Sequence, residues 1–349
     1  MDMSRSARRP RLEDVAERVG MSPASVSMVL SNAPGPSAAT RERVLEAAAE
    51  LGYRPDRTAS LLARRRTHLV GVLMQAGSAF HAELVEDLYE AAEQHGYDVV
   101  LSAVTRTRSE GRAAETLVDF RCEALILLGP IAPAARLAAL GRQLPVVVIG
   151  RRVAAAGVDV VRSADAKGVG QAVDHLAGLG HRSIAYVDGG RGTIASDRRR
   201  GYRTAMRRHR LAGHVRVIGG DHTEAAGARA ARLLLDEGRP LPSAVVAFND
   251  HCAVGLLDTL NRAGVDVPTE ISVAGYDDSS LSRLAHVDLT TVSQDARGQA
   301  EHAVAAAVER LYGGRTTPRE VVLTPRLVVR GTTGPPPPDT LAYPRDGTA

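Results

Sequence analysis

Carboxylates, amides and one guanidinium recur at similar places in this sequence, just after short apolar runs. Gln75 and Ser78 follow LVGVLM, Arg151 follows PVVVIG, and Asp188 ends SIAYVD. Asn249 and Asp250 close AVVAFND, Asp277 and Asp278 close ISVAGYDD, and Gln294 ends LTTVSQ. These groups accept and donate hydrogen bonds in fixed directions, which suits recognition of a polar ligand. Catalysis has weaker support. There is no Walker phosphate loop, no His-Glu-x-x-His pair and no Gly-x-Ser-x-Gly elbow. His175 and His181 read as structural, and Cys252 beside Asp250 has no evident base. The sequence therefore predicts a protein that is not an enzyme and needs no metal or cofactor.

Repeated β-α alternation is the framework that such strand ends require. From Leu69 onward, apolar runs (also DVVLSAV, EALILL, DVVRS and VRVIGG) alternate with helical patterns starting near Phe80, Ser109, Ala132, Asp165, Ser196, His222, Asp250 and Gln294. This pattern predicts parallel sheets covered by helices on both faces, in two similar α/β lobes in tandem. Ligands of open parallel sheets sit beyond the carboxyl ends of the strands, so the cleft between the lobes is the expected site.

A second group of residues lies near the N-terminus, in LEDVAERVGMSPASVSMVL. Leu12, Val15, Ala16 and Val19 mark one face of a helix; Gly20 permits the turn. Ser22 is a suitable N-cap, Pro23 fits the first helical position, and Val26, Val29 and Leu30 form a second apolar face. A third helix is predicted from about Ser37 to Leu51. Together these are a helix-turn-helix, whose second helix would offer Ser22, Ala24, Ser25, Ser27 and Met28 to the bases and phosphates of DNA. Charge agrees. The first 66 residues hold 12 arginines and 8 acidic residues, while the rest of the chain's 44 basic and 40 acidic residues balance. A basic head on a neutral body is the footprint of a nucleic-acid binder. Between the two, Thr58 to Arg65 is a short helix candidate that would need DNA or a partner subunit for support, with Arg57, Arg64, Arg65 and Arg66 placed for phosphates.

No run of about 18 apolar residues suggests a membrane span. The arginines of MDMSRSARRP precede no apolar segment, so a cytoplasmic protein is expected. Cys122 and Cys252 are expected to be reduced and buried. The tail from Gly331, GTTGPPPPDTLAYPRDGTA, has the composition of a disordered segment.

EDVAERVGMSPASVS, TRERVLEAAAELGYRP, HLAGLGHRSIAYV, RRRGYRTAM, AFND, VPTEISVAGYDD and LTTVSQ together resemble the lactose-repressor (LacI/GalR) family of bacterial transcription regulators, from about Arg11 to Gly331. The resemblance implies a three-helix DNA-binding head (1–54), a hinge helix (55–67), a two-lobed periplasmic-binding-protein-like body for effector binding and dimerisation (68–331) and a disordered tail (332–349). It implies a homodimer on a pseudo-palindromic double-stranded operator, acting as a repressor under a small-molecule effector, a sugar or sugar derivative. Leu62 matches the residue that wedges into the minor groove. Ser22, Pro23, Ala24, Ser25, Ser27, Met28, Ser31, Tyr53, Arg57 and Arg64 complete the expected DNA contacts. Phe80 matches an aromatic packed on the ligand ring, and Arg198 a guanidinium clamp. Asn249, Asp277 and Gln294 match contacts from the second lobe; Gln75, Ser78 and Arg151 lie in the first. Arg198 and Asp277 are expected to hold opposite edges of the ligand.

The sequence departs from the family pattern in three places. Met28 stands where the family's recognition helix has arginine, the commonest reader of guanine. Gln75 begins a segment that usually starts with aspartate, and Ala164-Asp165 replaces Asp-Asn. Two other functions fit the same fold: a regulator whose cleft no longer binds a small molecule, and a solute-binding protein, which the basic head and the absence of a signal disfavour.

Overall fold

In the computed structural model, residues 10–30, 34–53, 66–238 and 240–338 are described. The chain divides into two compact units, 1–67 and 68–349. Among its described residues the first has three helices, α1 (Leu12–Val19), α2 (Pro23–Leu30) and α3 (Ala38–Leu51). Gly20 ends α1 with φ 67°. Ser22 caps α2 by accepting from the Ser25 N–H at 3.2 Å, and Ser37 caps α3. Val15, Ala16, Val26, Val29, Val44, Ala47 and Ala48 form the small core.

In the second unit, β1 (Leu69–Gln75), β2 (Asp98–Val104), β3 (Ala124–Leu128), β4 (Val146–Ile149) and β5 (Val158–Ser163) are joined by α4 (Ala79–Gln94), α5 (Glu110–Asp119) and α6 (Ala134–Gly141). After α7 (Asp165–Gly178) come β6 (Ile184–Val187), α8 (Thr193–Arg208), β7 (Arg216–Ile218), α9 (Glu224–Asp236), β8 (Ala244–Val246), α10 (Asp250–Arg262) and β9 (Ser272–Ala274). The chain ends with β10 (Thr291–Ser293), α11 (Ala296–Gly313), β11 (Glu320–Leu323) and β12 (Arg326–Val328). The first sheet is parallel in the order β11-β5-β4-β3-β1-β2 and the second in the order β7-β6-β8-β9. Side-chain alternation sends Val70, Val72, Ile126 and Val147 towards α4 and α11, and Leu73, Leu125, Leu127 and Val148 towards α5 and α6. The second sheet is likewise covered on both faces, by α9 and α10 on one and α7 and α8 on the other.

Two expectations are corrected. The lobes are not in tandem: α11, expected in the second, buries Ala300, Ala303, Val304 and Ala307 on the first sheet, and β11 then pairs with β5. β12 returns to pair antiparallel with β10. The tail is also ordered as far as residue 338. β9 is a sheet edge, and its polar backbone finds partners there. The Val273 N–H donates to the Thr332 carbonyl at 2.8 Å, and Thr332 Oγ1 donates to the Val273 carbonyl at 2.7 Å. Cys122 and Cys252 are free and buried in separate lobes, and burial pushes their thiols up to about 11 and about 12. Among the described residues, no helix is long and apolar enough to cross a membrane.

Candidate functional site

The head presents one face of α2. Val26 and Val29 point into its core, so Ser22, Pro23, Ala24, Ser27 and Met28 are exposed and Ser25 is half-buried. The Ser22 and Ser25 hydroxyls lie 2.9 Å apart, which fixes both at the start of the helix. Met28, which stands where the family pattern has arginine, is 43% exposed. Tyr53 packs against the core, and its N–H caps α3 at the Ala48 carbonyl. Ser31, Arg57, Leu62 and Arg64 lie outside the described residues.

The cleft of the body is built by strand ends from both lobes. At its centre Arg198, on α8, is 3% exposed. Its Nε donates to Asp165 Oδ1 at 2.8 Å, and Nη1 donates to the Phe248 carbonyl at 2.7 Å. Nη2 lies 3.6 Å from Asp277 Oδ1. Tyr276 and Phe248 flank the guanidinium, with their ring centroids 3.6 and 4.7 Å from its carbon. Arg198 and Asp277 are therefore neighbours rather than opposite edges, because β9 and α8 bring them to one side. Burial works against the charge of Arg198, but Asp165 offsets this and its pKa is raised. Burial pushes the Asp277 carboxyl up to about 8, with Asp250 nearby reinforcing the shift against Arg198. One cation thus faces two close carboxyls, and burial raises the Asp165 carboxyl as well.

Gln294 donates through Nε2 to Asp277 Oδ1 at 2.6 Å. Asp277 itself has φ 121°, a left-handed conformation that aims its side chain out of the strand direction. Asn249 caps α10: Oδ1 accepts from the Cys252 N–H at 2.9 Å and Nδ2 donates to the His222 carbonyl at 3.0 Å. Asp250 accepts from Ser279 and Thr291, and Asp278 accepts from Arg330 at 2.6 Å, so both brace loops. Asp188 pairs with Arg199.

In the first lobe, Ser78 caps α4 by accepting from the His81 N–H. Phe80 packs against the sheet core. Gln75 donates its backbone N–H to His81 Nδ1 at 3.2 Å. That bond requires an unprotonated Nδ1. Burial, helped by His222, holds the ring down to about 4, so His81 is neutral. Arg151 bonds to the Ala132 carbonyl, away from Arg198. Glu83 joins the lobes by accepting from the Ser280 N–H and lying 3.5 Å from Arg283.

Sequence reasoning did not assign site roles to Asp165, Phe248, Tyr276, His81 and His222. Their positions carried a signal, since each adjoins a strand-end motif already singled out. The buried Tyr186 hydroxyl has no hydrogen-bond partner among the described residues, while the Tyr276 hydroxyl interacts with Asp165 and Ser163. A separate cavity of about 570 Å³ lies between α5 and α6 on the outer face of the first lobe, lined by Leu73, Val118, Leu127 and Arg136, and shares no residue with this cluster.

Known proteins place this geometry. Residues 11–56 match the family described as bacterial regulatory proteins, lacI family, and residues 173–333 match the periplasmic binding protein-like domain. The transcriptional regulator GalR of Escherichia coli is 33% identical over 331 residues, covering 93% of this chain and 96% of GalR. A lac repressor dimer bound to operator and the anti-inducer ONPF has a TM-score of 0.79 at 29% identity, covering 94% of this chain and all of that one. A complex of the regulator CelR with cellobiose has a TM-score of 0.66 at 30% identity, covering 93% of this chain and all of that one. With a helix-turn-helix head, a two-lobed body and these relatives, the chain is a DNA-binding transcriptional regulator, not an enzyme, and belongs to the lacI family.

Proposed function

We propose that this regulator is a cytoplasmic repressor that binds a pseudo-palindromic operator as a homodimer and is controlled by a sugar or sugar derivative held between the lobes. The observation that carries the reading is the buried cluster of Arg198, Asp165, Asp277 and Gln294, with the Tyr186 hydroxyl unpartnered among the described residues. Buried polar atoms without partners are costly, and a ligand with several hydroxyls satisfies them. Cellobiose in CelR is a precedent for a carbohydrate. For the dimer, β2 is an unpaired sheet edge carrying Leu101, 43% exposed, with Tyr89 and Phe120 also exposed on the adjoining helices. Gln75, Ser78, Phe80, Arg151 and Asn249 complete the proposed effector contacts, and the exposed face of α2 the DNA contacts.

One observation favours a second reading, a regulator with a silent cleft. The donors of Arg198 and the amide of Asn249 already have internal partners. Selection of binding sites from a random duplex pool, followed by a thermal-shift screen of sugars, sugar phosphates and nucleosides and an operator-release assay, separates the two. The repressor reading expects a two-fold symmetric site and at least one compound that alters both melting and DNA affinity. It also expects Asp277→Ala to remove that response and spare ligand-free binding. A symmetric site with no active compound establishes the silent cleft.

A further inference from the structure

His68 is the first residue of the body after the linker, and it is held at three points. Its N–H donates to Glu123 Oε1 at 3.0 Å, and its carbonyl accepts from the Asp98 N–H at 2.9 Å. Its ring lies 5.5 Å from that of Tyr97, and its φ of 53° is unusual for a residue with a side chain. Glu123 has a second task, since its Oε2 accepts from the Tyr97 hydroxyl at 3.0 Å. The Tyr97 and Tyr312 hydroxyls are 3.3 Å apart. The Tyr97 hydroxyl thus directs its one proton at both Glu123 and the Tyr312 oxygen, and Glu123 also accepts from the His68 N–H. The three side chains and the peptide of His68 form one connected group.

Tyr312 sits in the last turn of α11. The other end of this helix begins two residues after Gln294, the amide bonded to Asp277, and Gln299 Nε2 donates to the Gln294 carbonyl at 2.9 Å. Eighteen residues of helix span about 27 Å. One rigid element thus has the cleft cluster at its start and the linker contact at its end. β1 also runs from His68 to the cleft, but ladders to β2 and β3 lock it on both sides. α11 lies on the sheet through the side chains of Ala300, Ala303, Val304 and Ala307, and Arg310 near its end pairs with Asp159 of β5, so its two ends are held in one rigid element.

We infer that Tyr312, Tyr97 and Glu123 are positioning residues for DNA binding, which set the peptide through which the linker enters the body and connect it to the cleft through α11. The inference rests on the regulator reading above. Tyr312→Phe removes one hydroxyl from a half-exposed ring, and Glu123→Gln keeps the shape of the side chain. In the full-length chain, each should weaken binding to a duplex selected by the wild type about tenfold, as expected for loss of one hydrogen bond in a group anchored on a carboxylate. Binding to random duplex at low salt should stay within about twofold, because phosphate neutralisation does not need the linker set in one orientation. The melting temperature of the body serves as the control that a merely structural role would move. Tyr97→Phe combined with Tyr312→Phe should cost little more than either alone, since both break the same connected group. Equal losses on selected and random duplex, additive losses in the double variant, or unchanged selected-site binding would each overturn the inference. A wild-type chain that selects no site overturns the regulator reading itself, and is thereby distinct from those three results.

Discussion

Replacing Asp159 by asparagine should destabilise the body substantially, although this side chain is remote from the cleft cluster. Asp159 is 1% exposed on β5 and is the hub of a buried charge network. Oδ1 accepts from Arg310 at 2.9 Å, from Arg315 at 3.0 Å and from the Arg319 N–H at 2.8 Å, and Oδ2 accepts from Arg310 at 2.8 Å and Arg315 at 2.6 Å. Burial opposes the carboxylate, but these donors hold it down at about 2, against 3.8 for an ordinary aspartate. That depression corresponds to roughly 2 kcal/mol of preferential stabilisation of the ionised form. Asparagine offers one acceptor and turns an NH2 group towards guanidinium donors, leaving two arginines short of their counter-charge. Breaking a buried pair costs about 3–5 kcal/mol, and partial exposure of Arg315 places this site at the lower end, about 3 kcal/mol. The assay is chemical and thermal unfolding of both proteins from pH 7 down to pH 2. The folded pKa is depressed, so the stabilisation is complete above about pH 4 and disappears as pH falls towards 2. The gap between wild type and Asp159→Asn should close over that same interval. A difference below about 0.5 kcal/mol at pH 7, or a gap that does not depend on pH between 4 and 2, would refute the reasoning.

Three further outcomes follow from other parts of the molecule. Met28→Arg should change the base preferred at one step of each half-site, by about 1–3 kcal/mol for a guanine-reading fork; an unchanged consensus in a pool selection would mean that residue 28 does not face the bases. Gly255→Ala should destabilise the second lobe by about 3 kcal/mol or more, since a Cβ there would lie 1.9 Å from the Glu224 carbonyl where α9 and α10 cross, and denaturant titration reads the loss directly. Ending the chain at Gly331 should cost about 3 kcal/mol. It removes the Thr332 pairing with Val273 and the Gly334 carbonyl that lies 2.8 Å from His181 Nε2, and a truncated chain melting with the wild type would contradict that.

Local chemistry was the most legible part of the sequence. Gly20, Ser22 and Pro23 dictate a turn and a cap whatever surrounds them, and the short apolar run LVGVLM needs only its own residues to specify a buried strand. The interleaved lobes were not legible, because β11 is four residues long and its partner β5 lies far back in the chain. Composition suggested a disordered tail at Gly331, but the free edge of β9 supplies partners that composition does not describe. The adjacency of Arg198 and Asp277 depends on how α8 and β9 approach, which no local pattern contains. Asp159 carried a readable clue: a carboxylate between Val158 and Val160 in a sheet strand needs a buried partner, and the arginines of the C-terminal segment were candidates.

The return of α11 and β11 to the first sheet has a consequence for synthesis. When the ribosome has made β5, five strands of that sheet exist, but the face carrying Val70, Val72, Ile126 and Val147 lacks its second covering helix and β5 has a bare edge. About 160 more residues must be translated before β11 emerges, which at about 5–20 residues per second takes roughly 8 to 32 s. Throughout that interval the nascent chain carries an apolar surface and an open strand edge, while the second lobe is being made on the same polypeptide. Yield in a cell should therefore depend on chaperones that shield partly made chains, and should respond to translation speed across residues 164–323 more than across the head.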